Sequence, residues 1–290
     1  MFEGVHTALV TPLKGNEVDE EALANMVELQ ICAGINGLVP CGSTGESATL
    51  SHSEHRKVVE IVVTTARGRV PVIAGTGSNS TLEAVELTQH AKEAGADGAL
   101  LISPYYNKPT QEGIIRHYDQ VASATSLPLI VYNIPGRTAS NILPNTLARI
   151  AEIENVVAVK EASGDLEQMS QAIAACRSEF TFLSGDDALT LPLMSVGGHG
   201  VISTTSNVVP AEMVSLVQSF NSGDLQGARE MHYRLLPLIE TMFSETNPIP
   251  VKAAQALRGL CEEEIRLPLL PISSENRERL RISLKEFELL

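Results

Sequence analysis

Short runs of apolar, often β-branched residues recur along the chain and alternate with longer stretches in which apolar positions fall three or four apart. The short runs predict strands at 5–10, 37–41, 70–75, 98–103, 128–133, 156–161, 180–185 and 200–204, since a strand buried on both faces reads as a near-continuous apolar segment. The longer stretches predict helices at 19–33, 53–67, 82–94, 111–124, 145–151, 166–176, 188–196 and 211–221. Every predicted strand is followed by a predicted helix, the rhythm of βα units around a parallel sheet. Start and stop signals agree with it. Gly34, Gly95 and Gly223 stand where helices must end, in positions that suit a left-handed closing residue. Ser51-His52-Ser53-Glu54 has the form of a capping box.

Eight such units fit a closed (β/α)8 barrel, the TIM-barrel form of the α/β class, better than an open doubly wound sheet. The expected barrel occupies residues 1–223. Beyond it the strand signal stops. Segments 224–243, 251–258 and 275–289 predict a C-terminal helical extension over residues 224–290, interrupted at Asn247-Pro248-Ile249-Pro250 and at the proline-bearing 267–271.

Composition narrows the class of function. A net charge of −14 over 290 residues opposes phosphate backbones and anionic membrane surfaces, so neither nucleic acid nor membrane is expected as a partner. No apolar run approaches the ~18 residues of a membrane span, and the opening MFEGVHTALVTP has no basic segment ahead of an apolar one. Cys32, Cys41, Cys176 and Cys261 are scattered singly, which suits a reducing cytoplasm and neither a zinc site nor a disulfide framework.

In a barrel of this kind the reactive residues gather where the strands end. Small and polar residues do appear there: Gly42-Ser43-Thr44-Gly45-Glu46, Pro104-Tyr105-Tyr106-Asn107, Tyr132-Asn133-Ile134-Pro135-Gly136-Arg137-Thr138, Lys160 and Gly185-Asp186-Asp187. Lys160 is the sharpest signal, because it closes the apolar strand Val156-Val157-Ala158-Val159 and an ammonium is costly to bury. A desolvated lysine loses its charge near neutral pH and can attack a carbonyl to form an imine, the electron sink of a class I aldolase. The strand alone equally allows a lysine that reaches solvent and pairs with Glu161.

Ser43, Tyr106 and Tyr132 offer hydroxyls that could move protons, although each taken singly reads as a structural group. Ser43-Thr44-Gly45 forms a small turn whose backbone N–H groups could hold a carboxylate, and Arg137 could grip a second one in a fork. An ordinary turn and a surface arginine are the plainer readings. His199, set among glycines, reads as part of a tight approach to the eighth strand, and Asp186-Asp187 as helix-capping carboxylates on an exposed loop. A phosphate-binding isomerase would need its glycine-rich cradle after strands seven and eight, whereas 197–200 precedes the eighth. A non-catalytic sensor on the same barrel would leave Lys160 merely structural.

Taken together, Gly42-Ser43-Thr44-Gly45-Glu46, Lys160 and the motif from Tyr132 to Thr138 resemble the pyruvate-dependent class I aldolases, the N-acetylneuraminate lyase family, and the likeness runs along nearly the whole chain. Arg137 in the Tyr132 motif resembles the branch that condenses pyruvate with L-aspartate 4-semialdehyde to give 4-hydroxy-tetrahydrodipicolinate, on the diaminopimelate route to lysine. The sugar-acid lyases of the family would share Lys160 without needing Arg137. The resemblance implies Lys160 as the Schiff-base amine and Tyr132, Ser43 and Tyr106 as a proton relay, with Tyr106 entering from a neighbouring subunit of a homotetramer built as a dimer of dimers. It implies substrate contacts at Thr44, Arg137, Gly185 and Ile202, and neither an external cofactor nor a metal. Ser43 stands where the family often has threonine, which keeps the hydroxyl but frees its rotamer. Ser47, Ala48, His52, His55, Asn79, Glu83 and Tyr105 resemble the family's site for feedback inhibition by L-lysine. The residues alone also allow a solvated helix face, or a His52–His55 metal pair without an obvious third ligand.

Overall fold

The computed structural model describes residues 2–290 and sets eight strands in one parallel sheet. These are β1 (Gly4–Ala8), β2 (Gly37–Val39), β3 (Ile73–Gly75), β4 (Gly98–Ile102), β5 (Leu129–Asn133), β6 (Val156–Glu161), β7 (Thr181–Ser184) and β8 (Gly200–Ser203). Their order is β2-β1-β8-β7-β6-β5-β4-β3. A further parallel bridge between Leu38 and Val72, with Leu38 N–H donating to Pro71 O at 2.9 Å and Gly75 N–H to Pro40 O at 2.9 Å, joins β2 to β3 and closes the ring. The expected (β/α)8 barrel is the observed one.

Alternation along each strand sorts the apolar residues into two cores. Ala8, Val39, Ile73, Leu100, Ile130, Tyr132, Ala158, Leu183 and Ile202 fill the barrel. Their neighbours one step away, among them Leu38, Leu101, Val131, Val159 and Val201, pack outward against helices. Both faces are buried, which is why the sequence shows runs rather than alternation. At the bottom of the barrel β1 and β8 approach so closely that a Cβ on Gly200, which has φ +145, would lie 1.9 Å from the Gly4 carbonyl oxygen. His199 belongs to that approach: its N–H donates to Phe182 O at 2.8 Å and its carbonyl accepts from Gly4 N–H at 2.9 Å. Its structural reading holds.

Crossover helices follow each strand: α1 (Glu20–Cys32), α2 (His52–Ala66), α3 (Thr81–Glu93), α4 (Gln111–Ser123), α6 (Pro144–Ala151), α7 (Leu166–Ala175), α8 (Thr190–Ser195) and α9 (Pro210–Asn221), with a single extra turn, α5 (Pro135–Thr138), after β5. The capping box is present, Ser51 Oγ accepting from Glu54 N–H while the Glu54 carboxylate accepts from Ser51 N–H. Neither that extra turn nor a short hairpin near the start was expected from the sequence. Leu13–Lys14 pairs antiparallel with Glu17–Val18, turned by Gly15 and Asn16 at φ 61 and 64, the left-handed pair a two-residue hairpin requires.

Three helices follow the barrel: α10 (Leu225–Met242), α11 (Ile249–Leu257) and α12 (Ser274–Glu286). α10 packs along α9, and α11 and α12 pack with α10. Two ion pairs join this extension to the loop between β2 and α2 and to the first turn of α2. The Lys252 ammonium on α11 pairs with the Glu46 carboxylate, both side chains almost fully buried. Arg266 donates to Glu54 at 2.5 and 3.0 Å and to the Thr49 carbonyl at 2.9 Å, and its own N–H donates to Glu46 Oε2 at 3.2 Å. The Arg266 guanidinium holds the Glu54 carboxyl down at about 2.

Lys252→Ala should therefore strand a buried carboxylate and cost about 3–5 kcal/mol, read as a lower urea midpoint, while Glu46→Gln combined with Lys252→Met should cost less than the single change. A single change that leaves the midpoint in place would show that this pair does not clamp the extension.

Candidate active site

Residues of β6 alternate, so Ala158 and Lys160 point into the barrel and Val159 and Glu161 point out. Lys160 is 6% exposed. Its Nζ lies 4.4 Å from the centroid of the Tyr132 ring, which stands beside it in register on β5. Burial brings the amine down to about 8, with the Asp187 carboxylate pulling it up and Arg137 pushing it further down. The alternative of a solvated lysine paired with Glu161 is not what the fold makes. Glu161 turns to the other face and accepts from Asn133 Nδ2 at 3.1 Å and from Ser163 N–H at 2.7 Å. Gly185 allows the lysine stem to lie where it does, since a Cβ there would be 3.1 Å from Lys160 Cε and 2.7 Å from Ala162 Cβ.

Tyr132 supplies a phenol at the end of β5. Burial pushes it up to about 12 while Arg137 and the adjacent Ser43 hydroxyl oppose the rise, so it stays protonated near neutral pH. Ser43 and Thr44 lie in a tight turn held by Gly45 N–H to Gly42 O at 3.1 Å and Glu46 N–H to Ser43 O at 3.2 Å. Their own N–H groups donate to no acceptor among the described residues. Thr44 Oγ1 lies 3.2 Å from Thr204 Oγ1 and accepts from Asn247 Nδ2 at 2.9 Å. Arg137, on the one-turn helix α5, donates from Nη2 to the Asn247 carbonyl at 3.0 Å. Ile202 is a barrel-core side chain on β8.

Ser43, Tyr132 and Arg137 line a cavity of about 440 Å³ that also takes in Ser47, Ala48, His52, His55, Glu83 and Tyr105. Lys160, Thr44, Gly185 and Ile202 are not among its lining residues; Lys160 meets the lining through the Tyr132 ring and Thr44 through Asn247. His52 Nε2 meets Glu83 Oε1 at 2.8 Å, and Glu83 also accepts from the Ser78 hydroxyl, which does most to hold its carboxyl below the usual range. His55 turns inward to the Gly75 carbonyl at 2.8 Å, so it does not form a pair with His52. No group of three or more His, Cys, Asp or Glu is placed to hold a metal among the described residues. Asn79 lies outside the cavity, its carbonyl accepting from Asn107 Nδ2 at 2.8 Å. Tyr106 is the outlier: its ring is 89% exposed, its φ is 70, and it does not line the cavity of its own chain.

Two residues at the site escaped the sequence reading. Asp187, expected as an exposed cap, is buried; only Asp186 caps, accepting from Ala188 N–H at 3.0 Å. Asp187 Oδ2 accepts from Thr204 N–H at 3.1 Å and from Thr205 N–H and Oγ1 at 2.9 and 2.7 Å, which fixes a negative charge facing Lys160. Asn247, read as a helix separator, bridges Thr44 and Arg137. The doublet Asp-Asp and the Asn-Pro pair were visible signals; their partners, from β8 onward and from the barrel loops, were not.

The chain matches the dihydrodipicolinate synthetase family over residues 1–287. It is 57% identical over 291 residues to a 4-hydroxy-tetrahydrodipicolinate synthase of Syntrophobacter fumaroxidans, covering all of both chains. Among solved structures it resembles a chloride-inhibited dihydrodipicolinate synthase of Acinetobacter baumannii complexed with pyruvate, at 44% identity, TM-score 0.98 and full coverage of both chains. It also resembles DHDPS from Cyanidioschyzon merolae with lysine bound, at 42% identity and TM-score 0.97 over 100% of this chain and 99% of that one. With a buried lysine set against a phenol inside the barrel and a match along almost its entire length, the chain belongs to the dihydrodipicolinate synthetase family.

Proposed function

We propose that this chain condenses pyruvate with L-aspartate 4-semialdehyde to 4-hydroxy-tetrahydrodipicolinate, a step of lysine biosynthesis, through an imine on Lys160. The observation that carries it is the buried amine, brought down to about 8 and set against the Tyr132 ring. The names of its relatives and the pyruvate complex of one of them support the same reading. The neutral amine adds to the ketone of pyruvate and water leaves, giving the imine. Loss of a C3 proton yields the enamine, whose carbon attacks the aldehyde; the aldehyde oxygen takes up a proton. The amine of the second substrate then displaces Lys160 from the imine carbon, closing the ring and freeing the lysine.

Each proton in that sequence needs a group that can both give and take, the role assigned here to Tyr132 and Ser43. The free N–H groups of Ser43 and Thr44 fit the pyruvate carboxylate. Arg137 at the cavity edge fits the carboxylate of the semialdehyde. Backbone at Gly185 and Ile202 shapes the pocket around the lysine stem. Tyr106, held outward on its own chain, would complete the relay of a second copy, in keeping with a homotetramer made of two dimers. The four free cysteines suit the cytoplasm, and no described helix is long and apolar enough to cross a membrane.

The far end of the cavity is assigned to feedback by L-lysine, supported by the lysine-bound relative. Glu83 would exchange His52 for the ligand's ammonium, Ser47, Ala48, His55 and Tyr105 would line its walls, and Asn79 would close it from beside Asn107. Tyr105 neighbours Tyr106, which links occupancy to the relay.

Three measurements test this function. Pyruvate with cyanoborohydride should add a stable adduct to Lys160, seen by peptide mass spectrometry and absent from Lys160→Ala; no adduct on the parent protein would exclude the imine route. With its pKa about 8, about one amine in ten is neutral at pH 7, against about one in three thousand for an ordinary lysine. The trapping rate should accordingly rise with pH and level off above about 8, with the midpoint shifted down in Asp187→Asn and up in Arg137→Ala. Identical midpoints in all three proteins would remove both charges from the account. L-lysine should slow the condensation, and Glu83→Ala should lose that response while keeping its uninhibited rate; equal inhibition of both would dismiss the regulatory assignment.

A further inference from the structure

Asn247 lies in the segment between α10 and α11, 7% exposed, on the wall of the cavity shared by Ser43, Tyr132 and Arg137. Three of its polar groups bear on the site. The amide Nδ2 donates to Thr44 Oγ1 at 2.9 Å, and the main-chain carbonyl accepts from Arg137 Nη2 at 3.0 Å. The remaining group, Oδ1, is buried with no hydrogen-bond partner. A buried amide oxygen without a donor is rare enough to ask for a ligand that supplies one.

The two carboxylates on the cavity wall are already engaged. Glu46 is taken by Lys252 and the Arg266 N–H, and Glu83 by His52 and Ser78. His55 Nδ1 is also buried without a partner, but its ring is held through Nε2 by the Gly75 carbonyl and not by Asn247 or Arg137. Asp187 Oδ1, also buried without a partner, does not line the cavity. Asn247 Oδ1 is thus an open acceptor on the residue that holds Arg137. It is neutral, so it neither competes with a carboxylate for the guanidinium nor draws charge from Lys160.

We propose that Asn247 is a specificity residue for the second substrate, its Oδ1 accepting a hydrogen bond from the α-ammonium while Arg137 takes the α-carboxylate. This rests on the condensation proposed above, whose aldehyde carries both groups on one carbon. Because the carbonyl of Asn247 also orients Arg137, one residue of the C-terminal extension sets the spacing between the acceptor and the fork. An aldehyde lacking the amine would bind with the carboxylate contact alone.

The test compares L-aspartate 4-semialdehyde with succinate semialdehyde, identical but for the amine, in a single turnover on protein preloaded with pyruvate, because an aldehyde without the amine adds to the enamine but cannot displace Lys160 afterwards. Asn247→Ala should lower the second-order rate constant for addition of the amino aldehyde about 10–100-fold, the loss of one hydrogen bond to a charged group, and change that for succinate semialdehyde less than about threefold. The unaltered protein gives a check that needs no variant: the aldehyde concentration that half-saturates the single turnover should be at least about tenfold lower for the amine-bearing aldehyde. Equal losses on both aldehydes would confine Asn247 to holding Thr44 and Arg137, and no loss on either would remove it from the site; each overturns the proposal, as does equal half-saturation by the two aldehydes in the unaltered protein. Pyruvate trapping on Lys160 is run alongside. Its failure in the unaltered protein strikes the condensation itself, whereas intact trapping with equal losses strikes Asn247 alone.

Discussion

An amine kept out of water is the constraint on which the rest of this molecule turns. Moving a lysine from 10.5 to about 8 corresponds to roughly 3 kcal/mol spent against the charged form. That is comparable to fully burying one or two aliphatic side chains, at about 1.5–3 kcal/mol each, and the barrel interior alone holds Val39, Ile73, Leu100, Ile130, Leu183 and Ile202. A closed ring of strands can therefore carry one reactive lysine without endangering the fold. Closure also does the desolvating: the parallel bridge from Leu38 to Val72 completes the wall, and the register of β6 against β5 and β7 decides that Lys160, not Glu161, faces inward.

The charges around that amine are fixed by backbone rather than by flexible side chains. Asp187 is held by two N–H groups and a hydroxyl at the end of β8, and Arg137 by a carbonyl of the extension. One raises the affinity of Lys160 for its proton and the other lowers it. Their opposition leaves burial as the dominant cause, with the two charged groups as adjustments set by geometry that cannot relax when substrate enters.

The C-terminal extension is tied to the barrel through polar groups where an apolar contact would have been simpler. A buried pair such as Glu46–Lys252 adds little net stability over an apolar replacement, yet breaking one side is expensive. Its effect is positional. Glu46 sits at φ 55 at the end of the turn that carries Ser43 and Thr44, and Thr11 Oγ1 donates to Gly45 O at 2.7 Å from the other side. Held from both directions, and with Asn247 on the Thr44 hydroxyl, the turn is organised before any carboxylate arrives. The same cavity continues to His52 and Glu83, so the loop after β2 is shared by the proposed catalytic and regulatory ends.

Most of the architecture was legible from local pattern. Eight apolar runs and the helical periods between them follow from how side chains at i+2 or at i+3 and i+4 share a face, and the capping box and closing glycines are equally local. Lys160 was conspicuous because an ammonium ending an apolar strand is an anomaly at short range. The Leu13–Val18 hairpin was missed since two-residue strands show no period, although Gly15-Asn16 marked its turn. Asp187 and Asn247 were misread for a different reason. Their significance depends on hydrogen-bond partners that lie 17, 18 and 203 positions away, and the pairing of Glu46 with Lys252 spans 206. Periodicity is set by the chain's own geometry and can be read from neighbours; whether a lone polar group is exposed, buried and paired, or buried with an open valence is decided only when distant backbones converge, and that belongs to the tertiary structure.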